Sequence, residues 1–466
     1  MRIHGTLSPL LLRPLLAGLL LAGAPGCQAP GAGEDDSAVV DANPGARVDL
    51  AGFQPRNVVV VHIDTLRADA LPRWGSAHET MPILGQRAGW VSVERAVSTA
   101  SWTAPATASL LSGTDQPTHG IRFFDETGPN IPLAVPSYVP HLQEQGLTTA
   151  LVTGSEILMG GVYNLGQGFG YAQALAQDPG NARGSVEIAI DWLDTLGADE
   201  PFLLFLQPMD VHGPYRPEDS DIGLWADIGH LPFVLTDPPA AQEAQIAAAL
   251  EAATTDEARA QVLATVRDVY DEQMLGVDRA IGALMDALEA EGRLDETLIV
   301  LAADHGESFY DGAPPHLGHG MSVRNELVHV PLMFWGPGVT DAHVPCVASN
   351  MDIFPTIVDA MGLPALPSAE GRSLLHDCRE HAFSGVYDSV GGVETLEYLS
   401  VESKDAQVVY DCINAEIHAY DLVADPLATV KLPLDSVPKG IVLADALDAY
   451  AASVVTTLPK LTCTVR

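Results

Sequence analysis

Hydrophobic runs of strand length recur along the chain and alternate with stretches of helical period. The runs are NVVVVHI (57–63), TTALVTG (148–154), PFLLFLQPM (201–209), ETLIVLAA (296–303) and VPLMFWG (330–336). The first four are almost continuously apolar, the pattern of strands covered on both faces. Between them, VPSYVPHLQEQG (135–146), SVEIAIDWLDTLG (185–197) and residues 267–292 place apolar positions at helical spacing. Residues 235–265 are alanine-rich and acidic and predict exposed helices. This alternation predicts an α/β layered domain with a mostly parallel central sheet over residues 53–378. Beyond about residue 380 the pattern shortens to polar–apolar alternation in EYLSVES, AQVVYDC and EIHAYDL. It predicts a small antiparallel sheet and a final helix near 440–457, together a C-terminal subdomain over 379–466. No internal repeat is visible.

The N-terminus reads differently. Residues 1–27 carry early basic residues, an apolar run and then small residues before Cys27. The run is short for a membrane span and is broken by proline, so it predicts a targeting segment. Small residues ending at a cysteine read as a bacterial lipoprotein signal, with a lipid on Cys27 as the membrane contact at the cell envelope. Simple secretion is the alternative. Residues 28–52, rich in Ala, Gly, Pro and acid, predict a flexible tether. An exported chain with four further cysteines (Cys346, Cys378, Cys412 and Cys463) and no CxxC predicts two disulfides rather than a metal cluster. Three pairings are open; 346–378 with 412–463 closes the shortest loops.

Charge narrows the partners. The chain has 61 acidic against 23 basic residues, a formal net charge of −38. Such a surface repels nucleic acid and excludes it as a ligand class. Hydrophobic residues make up 47%, which excludes a wholly disordered chain. The four lysines all lie at or beyond Lys404.

Candidate chemistry sits at the ends of the predicted strands. Asp64 follows the first run, Asp210 and His212 the third, Asp304 and His305 the fourth. A single aspartate there is ordinary turn chemistry. Three strand ends, two of them with histidine, can converge on one edge of a parallel sheet, where such folds bind ligands. His319 adds an imidazole on the next loop, and His316 reads as a loop residue. Mixed oxygen and imidazole donors suit zinc, manganese or another divalent ion, calcium among them. Thr103, in STASWTAPATASLLSG (98–113), stands at the start of a small-residue helix that ends at Gly113. On local grounds it is a helix-start residue.

NVVVVHIDTLRADAL (57–71), TAPATASLLSG (103–113), PTHG (117–120), MDVHGPY (209–215), ADHGES (303–308), GHG (318–320) and VPLMFWGPG (330–338) occur in an order that carries a resemblance. NMDIFPTIVDAMGLP (350–364) and EGRSLL (370–375) extend it. Together they resemble the sulfatase family of the alkaline-phosphatase superfamily over residues 54–430. The resemblance implies that Thr103 occupies the nucleophile position and that Asp64, Asp304, His305 and the Thr103 oxygen bind a divalent metal. It places His212 at the substrate as an acid for the leaving group, or as a metal ligand with Asp210. His319 with Asp210 and His212 would complete a second metal site, as in two-zinc relatives. Thr65 stands where many sulfatases carry a second ligating Asp, and His305 where many carry Asn. The family matures a Cys or Ser in a C/S-x-P-x-R context to formylglycine; here those positions are Thr103 and Thr107, so no formylglycine is expected. The sulfate-holding lysines are missing too, and Arg67 or Arg122 could supply their charge or be structural ion pairs. The implied activity is hydrolysis of a sulfate or phosphate ester on an anionic small molecule or glycan. A phospho-group transferase acting on envelope glycans and an inactive binding protein are the alternatives.

Overall fold

The computed structural model describes residues 46–123, 133–159, 163, 165–175, 181–311, 316–390 and 393–457. The Cys27 signal segment, the tether up to residue 45 and Cys463 lie outside the described residues. Residues 46–52, expected to belong to the tether, are anchored instead. Val48 and Leu50 are buried, and the Val48 N–H donates to the Leu374 carbonyl at 2.9 Å.

The apolar runs form the strands they predict. β1 is Asn57–Ile63, and all seven of its residues are buried. Each fully buried valine or isoleucine contributes about 1.5–3 kcal/mol. In chain order there follow β2 (Trp90–Val97), β3 (Thr148–Thr153), β4 (Tyr171–Ala174), β5 (Phe202–Gln207) and β6 (Thr297–Ala303). A short hairpin, β7 (Ser308–Phe309) with β8 (Leu317–Gly318), precedes β9 (His329–Val330), β10 (Leu332–Trp335) and β11 (Ala342–Ser349). The large sheet runs β11-β2-β10-β6-β1-β5-β3-β4, with β9 paired to β2. It is parallel except where β10 runs against β6 and β2, and where β9 runs against β2.

β2 and β11 are strands that periodicity alone does not announce. β2 carries Ser92, Glu94 and Arg95 among its apolar residues. That guanidinium is buried because Asn325 and Glu402 meet it at 2.6 and 3.1 Å. β11 contains Pro345, which cannot donate to a ladder, and it lies at the sheet edge where this is tolerated. The predicted 267–292 helix is longer, Asp256–Ala290, with Thr255 capping it through Ala258 N at 3.2 Å.

A four-stranded antiparallel sheet follows: β12 (Ala382–Val390), β13 (Val393–Glu402), β14 (Ala406–Asp411) and β15 (Glu416–Asp421). The helix Gly440–Thr457 covers it through Leu443, Ala444 and Leu447 against Leu399, Val401 and Val408. A second cluster, with Val97, Val323, Leu327, Val409 and Tyr420, ties this sheet to β2 and to the segment before β9. Cys346 and Cys378 form a disulfide. Cys412 is disulfide-bonded as well. Among the described residues, no helix is long and apolar enough to cross a membrane.

The helix Thr103–Ser112 is buried along its whole length, which its Ala, Ser and Thr side chains allow. It stops at Gly113, at φ 67°, where a Cβ would stand 2.9 Å from the Tyr138 ring. Beneath it, Thr99 donates to Ser109 at 2.7 Å and Ser109 meets His119 Nε2 at 2.9 Å. His119 Nδ1 accepts from Ile121 N, so the ring is the neutral Nε2–H form. Burial, with Arg122 adding to it, pushes the His119 pKa down to about 3. The unfolded chain takes up this proton below pH 6.5 and the folded chain does not. Stability is therefore lost as pH falls through that window, by about 2 kcal/mol from this residue between pH 7 and 5. Unfolding free energies of wild type and His119→Gln against pH should diverge accordingly, with the variant's slope shallower. Parallel slopes would refute the assignment.

Candidate active site

β1 and β6 are parallel neighbours whose last residues, Ile63 and Ala303, face each other in register. The next residues, Asp64 and Asp304, therefore leave the sheet side by side, with His305 following. Both carboxylates and the imidazole are fully buried. Each offers one atom such that all three lie within 4.8 Å of one another. His305 Nε2 is 3.5 Å from Asp304 Oδ2 and 3.9 Å from Asp64 Oδ1.

The turn after β1 is held from several sides. Asp304 Oδ1 accepts from Thr65 N at 3.1 Å and from His305 N at 2.8 Å. The Tyr270 hydroxyl donates to the Thr65 carbonyl and accepts from Arg67 N, both at 2.9 Å. Thr65 sits at φ 58°, a left-handed conformation that β-branched residues rarely adopt. Such a conformation persists only where its surroundings enforce it.

Thr103 enters from the other side. It is the first residue of its helix, after Trp102 at the capping position. Its Oγ1 lies 3.4 Å from Asp64 Oδ2 and 3.3 Å from His305 Nε2. His305 Nδ1 is 2.9 Å from the Gly306 carbonyl and donates to it, which leaves the Nε2 lone pair facing Thr103 and the carboxylates. Gln207, at the end of β5, donates to Asp64 Oδ2 at 3.3 Å and is itself fixed by Thr153 at 2.8 Å.

This donor set fits a divalent cation. Asp64 Oδ1 and Asp304 Oδ2 are buried oxygens without a hydrogen-bond partner. Burial, and then the Asp304 and Glu307 carboxylates, push the Asp64 pKa well up. A cation among these atoms satisfies both oxygens and removes the repulsion.

Further out, His319 Nδ1 meets Glu307 Oε1 at 3.1 Å, and its ring lies 4.4 Å from that of His305 and 5.1 Å from that of His212. Burial resists charge on His319, but Glu307 outweighs it and raises its pKa. Burial and the neighbouring His319 lower that of His212, whose Nδ1 is 2.6 Å from the Gly213 carbonyl. His212 and His319 are thus brought together. Asp210 accepts from Ala182 N at the start of the helix Asn181–Leu193.

The two arginines considered for substrate charge are both engaged. Arg67 is 1% exposed, holding Asp69 at 2.8 and 2.7 Å, Asp311 at 2.8 Å and the Glu307 carbonyl at 3.0 Å. Arg122 donates to Glu394 at 2.8 Å. Gln207, Glu307 and Tyr270 are contributors that sequence reading did not single out. A lone polar residue closing an apolar strand was the available signal for Gln207.

A buried hydroxyl thus lies beside two carboxylates and an imidazole at the carboxyl edge of a mostly parallel α/β sheet. The chain belongs to the Sulfatase family, whose model matches residues 56–363. That match ends well short of residue 430, so the C-terminal sheet lies outside it. Arylsulfatase K of Mus musculus is 27% identical over 203 residues, 40% of this chain and 36% of that protein. Choline-sulfatase of Rhizobium meliloti (strain 1021) is 27% identical over 189 residues, again 40% and 36%. The chain thus spans little more than a third of the length of these relatives. Among solved structures, a protein bound to its substrate D-glucosamine-2-N,6-O-disulfate aligns with a TM-score of 0.64 at 16% identity, over 86% of this chain and 98% of the other. A phosphonate monoester hydrolase from Silicibacter pomeroyi aligns with a TM-score of 0.61 at 18% identity, over 88% and 96%. These share the α/β fold with its large mostly parallel sheet and small antiparallel one.

Proposed function

We propose that this chain is a metal-dependent hydrolase of sulfate esters on an anionic glycan or small molecule, with Thr103 as its nucleophile. The observation that carries this reading is the Thr103 hydroxyl. It faces Asp64 and His305 at 3.4 and 3.3 Å. A divalent cation held by Asp64, Asp304, His305 and the Thr103 oxygen would lower the pKa of a bound oxygen and offset the charge of the ester.

The chain's own residues supply the rest. Asp64 and His305 orient the Thr103 oxygen, and Gln207 and the Tyr270-held turn keep Asp64 in place. In the first step an O–S bond forms at Thr103 and the bond from sulfur to the ester oxygen breaks. His212 is anchored through Nδ1 on the Gly213 carbonyl, and the proton that the Thr103 hydroxyl loses would pass by way of its Nε2 to that leaving oxygen. Water then cleaves the Thr103 ester and releases sulfate. Glu307 holds His319 beside His212, so the two imidazoles handle protons together. The Thr103 hydroxyl acts directly and not as formylglycine, since Thr107 replaces the arginine of the maturation motif. Membership of the Sulfatase family and the sulfatase names of its relatives support sulfate over phosphate. From the signal-like residues 1–27 alone we also propose a place at the bacterial cell envelope, held by a lipid on Cys27.

The test is a substrate panel on metal-supplemented chain: aryl sulfate, aryl phosphate, an aryl phosphodiester and D-glucosamine-2-N,6-O-disulfate. Sulfate release should dominate. Faster phosphate or phosphodiester cleavage would replace the sulfate reading, and no turnover of any ester would overturn the enzyme reading.

A further inference from the structure

A cavity of about 190 Å³ lies between the segment that follows His319 and the face of β13–β15 that carries Val409 and Tyr420. Arg324, Ser322, His418 and Lys431 line it, with Tyr398 and Tyr420 as aromatic walls. Arg324 is only 7% exposed. Its Nη2 is spent on Ser308 at 3.0 Å and on Glu326. Its Nε and Nη1 are buried with no hydrogen-bond partner, as are the Ser322 hydroxyl and His418 Nδ1. Buried guanidinium N–H groups without acceptors are costly, and each such group calls for a partner. Asp411 also lines the cavity, but its two oxygens accept from Asn414 at 2.9 and 2.8 Å rather than from Arg324.

We propose that this cavity is a subsite for a second anionic group, a sulfate or carboxylate, on the sugar whose ester is cleaved at Thr103. The inference rests on the hydrolase reading above. Three features favour it. In a chain of net charge −38, two of the few cations converge here, and Lys431 stands at the mouth with only an exposed Glu416 at 3.7 Å. The cavity is smaller than the roughly 300–1,000 Å³ of drug-sized sites, which suits one charged group rather than a whole ligand. The cavity also adjoins the active site. His316 lines it, and His319, three residues on, packs on His305. Three residues span at most about 10 Å, within reach of a single saccharide unit or two. Arg324 also bonds Ser308, the residue after Glu307. The Nε–H and Nη1–H groups can each donate a charge-assisted hydrogen bond to a carboxylate or sulfate oxygen, and the tyrosine rings give a sugar face something to pack on.

The test is calorimetric binding by the full metal-loaded chain, which does not depend on turnover. The probes are D-glucosamine-2-N,6-O-disulfate, glucosamine 6-sulfate and inorganic sulfate. Lys431→Glu reverses the charge at the mouth on an exposed side chain. It should weaken the disulfated probe about tenfold and leave the monosulfated one within about twofold. Arg324→Gln should weaken it further. If Arg324→Gln fails to fold, Ser322→Ala and Lys431→Glu still decide. Equal affinity of wild type and Lys431→Glu for the disulfated sugar overturns the subsite. So does Arg324-dependent binding of inorganic sulfate alone, which marks a free-anion site. Loss of aryl sulfate turnover with these binding differences intact would refute the hydrolase reading and leave the anion site standing.

Discussion

Thr103→Ala should fold, melt close to wild type and lose at least about a thousandfold in turnover, in line with other nucleophile deletions. The structure separates the two roles open to this residue. A capping hydroxyl is worth about 0.5–2 kcal/mol of stability, but the capping position here is Trp102 and Thr103 is the first helical residue. Asp64 Oδ2 keeps Gln207 as a donor when the hydroxyl goes. The stability cost is therefore limited to a small buried group in a well-packed helix. Thr103→Ser keeps the oxygen near Asp64 and His305 and should retain measurable activity, reduced by the freer rotamer. Thr103→Cys should remain a thiol, because Thr107 cannot serve as the maturation arginine. Melting curves and steady-state rates on the same preparations separate the cases. Turnover by Thr103→Ala within about tenfold of wild type, roughly 1.4 kcal/mol of barrier, would remove Thr103 from the chemistry.

What sequence could show follows from what is local. β1, β3, β5 and β6 announce themselves because strands buried on both faces need unbroken apolar runs. Their ends then place Asp64, Asp304 and His305 on one edge, and the parallel β1–β6 register explains why the two aspartates meet. β2 escapes because the charge of its Arg95 is neutralised by Glu402, 307 positions away. Arg67 pairs both with Asp69, two positions on, and with Asp311, 244 positions distant. From sequence, a cation beside the first metal-capable residue reads equally as substrate binder or ion pair. Asp210 illustrates the remaining gap. It and His212 look like one ligand pair on one loop, yet the aspartate side chain serves a helix N-terminus, where a negative charge is favoured. His62 reads as a strand residue in NVVVVHI. It is fully buried beside Phe205 with neither ring nitrogen hydrogen-bonded, and burial pushes its pKa to about 4. It belongs to the apolar floor beneath the site rather than to the ligand set.

Asp304→Asn should abolish activity and yet stabilise the metal-free chain. Asp304 Oδ1 accepts from Thr65 N and His305 N, and an amide oxygen can keep both bonds. The other oxygen, Oδ2, is buried without a partner and faces the acidic side of the cluster. Replacing it by an NH₂ gives His305 Nε2, 3.5 Å away, a donor. It also removes a negative charge from beside Asp64. For charges no more than 4.8 Å apart that repulsion is worth at least about 1 kcal/mol at water-like screening and about 3.5 at an effective dielectric of 20. In excess chelator the variant should therefore melt higher than wild type. With zinc, manganese or calcium added, the order should reverse. Wild type gains a binding term of about 2.7 kcal/mol at a hundredfold excess over Kd, and the variant, lacking one ligand charge, gains little. Activity should follow the metal in wild type and stay absent in the variant. The crossing of the two melting temperatures distinguishes a cation site from a buried acid pair held together by protonation. If added metal shifts neither protein, or if chelated Asp304→Asn melts below chelated wild type, the assignment of Asp64, Asp304 and His305 as a metal centre fails.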